Sequence, residues 1–375
     1  MSAVADSLTR FNLEDFFDEF EHLPGLINLA SSDAQPWSGK DLQAKDVTLR
    51  SDHLTMAYPD AKTHLLPGLR LLCNPPMGID LLATSGAAEG IALIMHELST
   101  TTAHGRNKLI GVPRPSYGAF SGLATLLGLH CEFYDYDPSR GWAPDPAQVL
   151  ALAKRCNALI VTNPHNPTGN VMPMPELEQV NTALRSHGGT LIVDEVFRAP
   201  GETESSITLG ENVVVIGSLS KTYGLPGLRL GWVATSQERL RRLRTVQQYL
   251  TLSLSAMTVI IGAAVLKKPE LFSRAELIHA NRTIVTDWAG AHEDVVRISV
   301  PAGGTTVCVV IDTTMDETAL FDSFVQRGVL LAPGSRCFEF ARDLHWFRLG
   351  YGTESETLHR GLELVAAAID RIGSR

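Results

Sequence analysis

From about residue 80 the chain alternates short, β-branched apolar runs with longer segments of helical periodicity. The predicted strands are LIGVP (109–113), CEFYDY (131–136), ALIVTN (158–163), LIVDEV (191–196), VVVIGSLS (213–220) and LGWVAT (230–235). Helical periodicity marks EGIALIMHEL (89–98), AFSGLATLLG (119–128) and PELEQVNTALRSHG (175–188). This alternation predicts an α/β fold, in which helices cover both faces of a mainly parallel sheet and ligands bind at the carboxyl ends of its strands.

The pattern changes towards the C-terminus. One long helix is predicted from about Ser236 to Leu266, followed by the looser, antiparallel strand candidates VRISV, TTVCVVID and LHWFRLGYG. A chain of 375 residues also exceeds what one hydrophobic core usually organises. We therefore expect a smaller α+β lobe at residues 261–375, a large domain at 41–260, and an N-terminal segment at 1–40.

Composition excludes several classes of protein. A formal charge of −9 repels phosphate backbones, so nucleic-acid binding is not expected. The five cysteines are scattered and odd in number, which fits neither a disulfide framework nor a metal site and predicts a reducing, cytoplasmic location. The first twenty residues lack the pattern of a signal peptide, and the longest uncharged run, 246–266, carries too many polar residues to face lipid. We expect neither export nor membrane insertion.

A lysine follows the strand end in SLSKTYGLPGLRLGWV (218–233). The Lys221 amine would form a Schiff base if its surroundings favoured the neutral form, while Ser218, Ser220 and Arg229 offer hydroxyls and a guanidinium for a phosphate dianion. The alternative is an exposed lysine in a glycine-rich turn. A P-loop is a poorer match, because GxxxxGK[ST] is absent.

Polar residues follow two other predicted strands. Asp194 ends a fully apolar run, where a protonated pyridine nitrogen would satisfy its carboxylate, although it can equally cap the turn that follows. The rigid turn TNPHNPTGN (162–170) would aim Asn166 inward to bond a phenolic oxygen, or be purely structural.

Two further segments contain weaker candidates. TSGAAEGIAL (84–93) brings the backbone N–H groups of Ala87 and Ala88 to the positive end of a helix, where an anion can bind. In RPSYGAF (114–120), Tyr117 lies just past a strand end, where its ring would either stack on a flat cofactor or pack in the core.

Taken together and in this order, these segments resemble fold-type-I pyridoxal-phosphate enzymes of the aminotransferase class I/II family over nearly the whole chain. The resemblance implies a large lobe with a mainly parallel seven-stranded sheet, a smaller α+β C-terminal lobe, and pyridoxal 5′-phosphate as cofactor. It assigns the Schiff base and proton transfer to Lys221, the pyridinium partner to Asp194, and the O3′ contact to Asn166. Tyr117 resembles the stacking ring. The implied phosphate site consists of Ala87, Ala88, Ser218, Ser220 and Arg229.

The same resemblance implies residues outside the cofactor site. Tyr58, in MAYPDAKTHLLPGLR, resembles the tyrosine that reaches the phosphate of a neighbouring subunit, which implies a homodimer. Arg348, in HWFRLGYG, resembles the arginine that binds the substrate α-carboxylate. Two positions depart from the family. Phe197 replaces a usual tyrosine, which puts the protonation of the Schiff base in doubt, and Thr305 follows Gly303–Gly304 where an aromatic residue is usual.

The substrate is suggested by acidic residues near the N-terminus. The segment INLASSDAQPWSG (27–39) is expected to line the substrate mouth, with Ser32 and Asp33 contacting substrate beside Asn166. It and the helix LEDFFDEFEHL are rich in carboxylates, which either form a solvated face or receive a cationic, guanidinium side chain. SSDAQPW, SGLA and SRGWAPDPAQVLAL resemble the capreomycidine-synthase branch, and the surroundings of Asp194 are similar to arginine-oxidising enzymes of enduracididine-type biosynthesis.

The leading hypothesis is therefore an aminotransferase acting on an L-amino acid, of arginine type, and a 2-oxo acid, in antibiotic biosynthesis. The alternative is a pyridoxal-phosphate enzyme that eliminates a β-substituent and cyclises, or reacts with oxygen, on an arginine derivative. A regulatory module without catalysis is disfavoured by the presence of Lys221, Asp194 and Arg348.

Overall fold

A large sheet of eight strands forms the centre of the protein. The computed structural model describes residues 10–47, 58–101, 108–339 and 344–369. The strands are β1 Ile27–Asn28, β2 Ile79–Thr84, β3 Leu109–Arg114, β4 His130–Asp137, β5 Ala143–Pro144, β6 Ala158–Thr162, β7 Thr190–Asp194, β8 Val213–Ser218, β9 Gly231–Ser236, β10 Val296–Ile298, β11 Thr306–Ile311, β12 Val329–Leu330, β13 Ala332–Pro333 and β14 Trp346–Gly350. The large sheet has the order β2-β9-β8-β7-β6-β3-β4-β5.

Helices surround this sheet and the smaller one. They are α1 Asn12–Phe20, α2 Gly39–Ala44, α3 Ala61–His64, α4 Leu66–Cys73, α5 Gly86–Thr101, α6 Ala119–Leu126, α7 Pro146–Ala153, α8 Met174–Arg185, α9 Gln237–Leu250, α10 Ala256–Val265, α11 Ala275–Ala291, α12 Glu317–Gln326, α13 Gly334–Cys337 and α14 Ser355–Ile369. Within the described residues, no helix is both long and apolar enough to cross a bilayer.

The central strands β6 and β7 are buried along their whole length, because helices cover both faces of the sheet. Their side chains alternate between two separate apolar cores: Leu159 and Val161 join one core, whereas Ala158 and Ile160 join the other. Strands β8, β7, β6, β3 and β4 pair in parallel, and β9 runs antiparallel to its neighbours. The predicted α/β fold with a mainly parallel sheet is thus confirmed, with the two-residue strand β5 added at one edge.

A second sheet lies near the C-terminus. Strands β10, β11, β14 and β13 form it, all paired antiparallel, as predicted for the smaller lobe. The N-terminal segment reaches this part of the chain, because β1 pairs in parallel with β12. The domain limits at 40/41 and 260/261 stay predictions, and residues 1–9 and 370–375 of the outer domains lie outside the described residues.

One expected helix is wrong, and one strand was not predicted. The single helix predicted from Ser236 to Leu266 is two helices, α9 and α10, because the chain turns at residues 251–255. Leu252 takes φ +63° there, and the Ser255 side chain caps α10 by accepting from the Thr258 N–H. Strand β2 was not predicted, although IDLLAT pairs antiparallel with β9 and lies at the edge of the large sheet.

Candidate active site

A cavity of about 390 Å³ opens at the carboxyl ends of the parallel strands, as the fold class predicts. Every predicted site residue except Tyr58 lines it: Ser32, Asp33, Ala87, Ala88, Tyr117, Asn166, Asp194, Ser218, Ser220, Lys221, Arg229 and Arg348. The structure thus brings together residues that are more than 300 positions apart in the chain. Tyr58 does not line the cavity, and it is 79% exposed.

Asp194 is the last residue of β7 and is buried in the cavity wall. One of its oxygens accepts from the Val196 backbone N–H at 3.1 Å. Burial in this apolar surrounding raises the pKa of the Asp194 carboxyl to about 7, and the charge of Lys221 counters only part of the rise. A buried carboxyl in this state is suited to a cationic partner, which the protonated nitrogen of a pyridine ring would provide.

Lys221 lies three residues after the end of β8, and its amine points to the N-terminal segment. Nζ donates to the Asp33 carboxylate at 2.7 Å and to the Ser32 hydroxyl at 3.0 Å. It also stands 5.9 Å from the centre of the Phe197 ring. Phe197 lines the same cavity, so the position where the family usually has a tyrosine presents an apolar ring and no hydroxyl to the site.

Arg348 lies within β14 of the small sheet and is only 1% exposed. Its guanidinium donates to the Ala30 carbonyl at 2.7 and 3.2 Å and to the Asn166 side-chain oxygen at 3.2 Å. Burial lowers the pKa of Arg348, while the charges of Asp33 and Glu14 are among those that oppose the shift. A buried guanidinium held by neutral acceptors is a strong site for a carboxylate fork.

An anion site forms where α5 begins. Ala87 and Ala88 belong to the first turn of this 16-residue helix, and Ser218 and Ser220 face the same cavity. Arg229 takes φ +51° after a short turn, a conformation seldom adopted outside functional or tightly constrained sites. Its guanidinium approaches Gly86 so closely that a Cβ atom on Gly86 would lie 2.3 Å from Nη2. Helix dipole, hydroxyls and guanidinium together match a phosphate.

Tyr117 lines the cavity from the loop after β3, with its ring 5.1 Å from that of Phe11. Its hydroxyl donates to the Glu14 carboxylate at 3.4 Å. Burial raises the pKa of Tyr117 above its ordinary value, and the negative charge of Glu14 is the second largest cause. The phenol is therefore neutral at physiological pH, with its ring at the edge of the site.

Sequence reasoning missed Thr162 as a site residue. It is the last residue of β6, pairs in register with Asp194, and lines the cavity. Its hydroxyl is buried without a hydrogen-bond partner among the described residues. The position of Thr162 directly after an apolar run, beside the predicted end of β7, was the available indication.

Carboxylates form the outer wall of the cavity. Glu14 in α1, Glu21 just after α1, and Asp33 all line it. Phe17 also lines the cavity, with its ring 5.8 Å from the Arg348 guanidinium. Glu14 and Glu21 have no ion-pair partner among the described residues, whereas Glu19, which does not line the cavity, pairs with Arg336. The wall is thus negative at the mouth, while the interior carries Arg348, Arg229 and Lys221.

The residues present fit pyridoxal phosphate. The unpartnered Thr162 hydroxyl and the buried Asp194 carboxyl provide polar groups for a pyridine ring, and Gly86 leaves the space that Arg229 needs beside α5. Lys221 supplies an amine within the same cavity. The volume of this cavity lies within the range usual for sites of small organic ligands.

Comparisons with known proteins agree with this geometry. The family model described as "Aminotransferase class I and II" matches residues 79–365. Capreomycidine synthase from Streptomyces vinaceus is 32% identical over 98% of this chain and 95% of its own length. The 3-methylarginine biosynthesis aminotransferase ArgM of Streptomyces arginensis is 30% identical over 92% of this chain and 96% of its own. A pyridoxal-phosphate-dependent aminotransferase from Streptococcus suis superposes with a TM-score of 0.87 at 25% identity, over 98% of this chain and all of that one.

Proposed function

Because the chain belongs to the aminotransferase class I and II family, with pyridoxal phosphate as its cofactor, we propose that it transfers the amino group of an arginine-type amino acid to a 2-oxo acid. The observation that supports the substrate class is the set of carboxylates, Glu14, Glu21 and Asp33, that lines the same cavity as the buried Arg348. An amino acid with a cationic side chain complements both charges.

The cofactor would be held by the residues predicted for it. Asp194 would hold the proton on the pyridine nitrogen, Asn166 and Thr162 would offer polar groups to the ring, and the start of α5 with Arg229 would hold the phosphate. When bound, pyridoxal phosphate supplies an electron sink for the charge that develops at the substrate Cα. Among the described residues that line the cavity, Lys221 is the one with an amine, which supports its role in moving the Cα proton.

Arg348 would bind the α-carboxylate of the substrate through both of its outer nitrogens. Its neutral acceptors, Ala30 and Asn166, fix the guanidinium plane without neutralising it. With the carboxylate held there, the side chain of the substrate extends towards the mouth of the cavity. A guanidinium there would meet the carboxylates of α1, and ion pairing would stabilise it; the Phe17 ring already lies 5.8 Å from the Arg348 guanidinium.

The relatives support the same substrate class. The names of two of them, capreomycidine synthase and a 3-methylarginine biosynthesis aminotransferase, refer to arginine-related compounds, and both span nearly the whole chain. The same two names support a role in antibiotic or other specialised biosynthesis. Deleting the gene in its source organism and comparing the guanidino metabolites of the two strains would test that role.

The substrate proposal is tested by comparing arginine with citrulline, which replaces the guanidinium by a neutral urea of similar shape. Glu14→Gln combined with Glu21→Gln is expected to raise KM for arginine about 10- to 100-fold, since each lost charge-assisted contact is worth about 1 kcal/mol or more. KM for citrulline is expected to change by less than about threefold. Asp18→Asn is the matched control, because Asp18 is exposed on α1 outside the cavity. Equal effects on both substrates would refute the proposal.

A second candidate function is elimination and cyclisation, or reaction with oxygen, on an arginine derivative. Phe197 supports it, because the site has an apolar ring at the position where the family has a tyrosine, and so does the similarity to capreomycidine synthase. Mass spectrometry of the turnover of an arginine derivative with a β leaving group and an α-15N label, in the presence of a 2-oxo acid, separates transamination from elimination and cyclisation. Transamination transfers the α-nitrogen to the acceptor, whereas cyclisation keeps it in the product.

We also propose a homodimer in which Tyr58 reaches the phosphate site of the neighbouring subunit. Tyr58 is largely exposed, and so are the apolar side chains of Tyr249 (88%) and Leu71 (82%), which an interface would cover. Mixing a Lys221→Ala chain with a Tyr58→Ala chain would restore activity in a shared-site dimer, because one site of each mixed dimer keeps both residues. A monomer in sedimentation, or no restored activity, would contradict this.

The location proposed from composition is a reducing cytoplasm. All five cysteines are unpaired, and Cys156, Cys308 and Cys337 are buried. Fractionating cells of the source organism, with detection of the chain by antibody, would test the location.

A further inference from the structure

The Tyr117 hydroxyl has a partner that the stacking role of its ring does not require. It donates to the Glu14 carboxylate at 3.4 Å, although the two residues are 103 positions apart in the chain. A phenol hydroxyl lies in the plane of its ring, so one face of the ring stays free for a flat cofactor while the hydroxyl bonds Glu14. The contact between Tyr117 and Glu14 is therefore compatible with a bound cofactor.

Aromatic packing sets the position of this hydroxyl. The Tyr117 ring lies 5.1 Å from the ring of Phe11 and 6.3 Å from that of Phe120, which it meets edge to face. Gly118 permits the approach, because a Cβ atom there would lie 3.0 Å from the Phe11 ring. Phe11 directly precedes α1, and its carbonyl accepts from the Glu14 N–H at 2.9 Å. The packing of Phe11 on Tyr117 thus holds the first turn of α1, with Glu14, beside the phenol.

The Glu14 side chain is otherwise free to move. Glu14 is exposed on α1, and among the described residues the Tyr117 hydroxyl is the hydrogen-bond donor to its carboxylate. An exposed glutamate samples several rotamers, and fixing one of them costs conformational entropy. Because the bond to Tyr117 needs the carboxylate on the cavity side of α1, it favours the rotamers that point into the site.

The bond also leaves the charge of Glu14 available. Burial is the main cause that raises the pKa of Tyr117, so the phenol donates as a neutral group and does not cancel the negative charge. Glu19, on the same helix, is by contrast paired with Arg336. The charge of Glu14 acts on Arg348 as well as on Tyr117, so its carboxylate lies within electrostatic reach of the proposed α-carboxylate site.

We propose that Tyr117 is also a positioning residue for the substrate: its hydroxyl holds the Glu14 carboxylate in the orientation that receives the guanidinium. The inference rests on the proposed function, since it requires a substrate with a cationic side chain. A carboxylate has two oxygens, so Glu14 can accept from the phenol and from a guanidinium together. Affinity for the cation rises because the glutamate rotamer is selected before the substrate binds.

The test uses two substrate analogues that lack the α-amino group and are therefore not converted. 5-Guanidinopentanoate keeps the carboxylate and the guanidinium of arginine, whereas 5-ureidopentanoate has a neutral urea in place of the guanidinium. Calorimetry measures the binding of each to the loaded enzyme. Tyr117→Phe removes the hydroxyl alone and is expected to weaken binding of the guanidino analogue about 3- to 10-fold, and of the ureido analogue less than about twofold.

A double-mutant cycle shows whether the hydroxyl acts through Glu14. Glu14→Gln alone is expected to weaken binding of the guanidino analogue about tenfold, and adding Tyr117→Phe to weaken it by less than about a further twofold. Tyr134→Phe is the matched control, because it removes another buried phenol hydroxyl, bonded to the Ile160 carbonyl, outside the cavity lining. It is expected to leave both affinities unchanged.

The inference would be overturned if Tyr117→Phe weakened both analogues equally or left the guanidino analogue unaffected, or if its effect and that of Glu14→Gln were additive. These outcomes are distinct from a failure of the proposed function. If wild type binds the two analogues equally well, the proposed substrate class fails, and the inference fails with it. If wild type prefers the guanidino analogue and Tyr117→Phe keeps that preference, the substrate class stands and the role of the hydroxyl is refuted.

Discussion

The buried carboxyl of Asp194 predicts an unusual effect of pH on the stability of the cofactor-free protein. Its pKa is about 7 in the folded chain, raised chiefly by burial from 3.8. A raised carboxyl pKa means that the folded state binds the proton more tightly than the unfolded state. Stability is therefore lost as pH rises from about 4 through 7, the reverse of the usual behaviour of a paired aspartate.

The size of the effect follows from the shift. The interval from 3.8 to about 7 is roughly three pKa units, each worth about 1.4 kcal/mol, so ionised Asp194 destabilises the folded chain by about 4 kcal/mol above pH 7. Asp194→Asn removes the ionisation and keeps an oxygen that can accept from the Val196 N–H. The cofactor-free variant is expected to exceed wild type in unfolding free energy by about 1.5 kcal/mol at pH 5 and about 4 kcal/mol at pH 8.

Urea unfolding of both cofactor-free proteins at several pH values measures this difference. Asp18→Asn on exposed α1 controls for the change in net charge. With pyridoxal phosphate bound the difference is expected to shrink, since a neutral asparagine forms no ion pair with a pyridinium and each tenfold loss of cofactor affinity offsets about 1.4 kcal/mol of it. If the wild-type and Asp194→Asn stability curves ran parallel from pH 5 to 8, the reasoning about burial would be refuted.

Three further changes test separate parts of the site. Arg348→Lys is expected to raise KM for α-carboxylates about 10- to 100-fold by removing the two-pronged contact, and an unaltered KM in steady-state kinetics would exclude Arg348 from that role. Gly86→Ala, at φ +79°, places a Cβ atom against the Arg229 guanidinium. It is expected to weaken the binding of inorganic phosphate to the cofactor-free protein about tenfold, measured by calorimetry. Gly122→Ala is the control, because a Cβ atom there meets open space on α6. Lys221→Ala is expected to abolish turnover and the visible absorbance of the bound cofactor. If the variant kept the activity of wild type, Lys221 would not be a catalytic residue.

The elements predicted best from the sequence are those whose apolar pattern matches their burial in the structure. Asp194 ends β7 and Lys221 lies three residues after β8. Both strands are buried along their length, and polar residues at the carboxyl ends of parallel strands meet at one edge of the sheet. The break between α9 and α10 was missed because 246–266 is uncharged throughout, and the turn rests on Leu252 and the Ser255 cap within it.

Local sequence patterns could not predict the contacts between distant segments. Asp33 and Lys221 are 188 residues apart, and Arg348 and Asn166 are 182 apart, so only the assembled fold shows that each pair is bonded. Strand β2 was not predicted for a related reason: it lies at the edge of the sheet, and its partner β9 comes about 150 residues later in the chain.

The most direct test of the account is the visible absorption spectrum of the loaded enzyme on adding arginine, recorded with and without oxygen. With arginine, the visible band is expected to give way to a stable pyridoxamine phosphate spectrum and to return on adding a 2-oxo acid; with citrulline the change is expected to be much slower. A change that requires oxygen, a product that keeps the α-nitrogen, or equal rates with citrulline would contradict it.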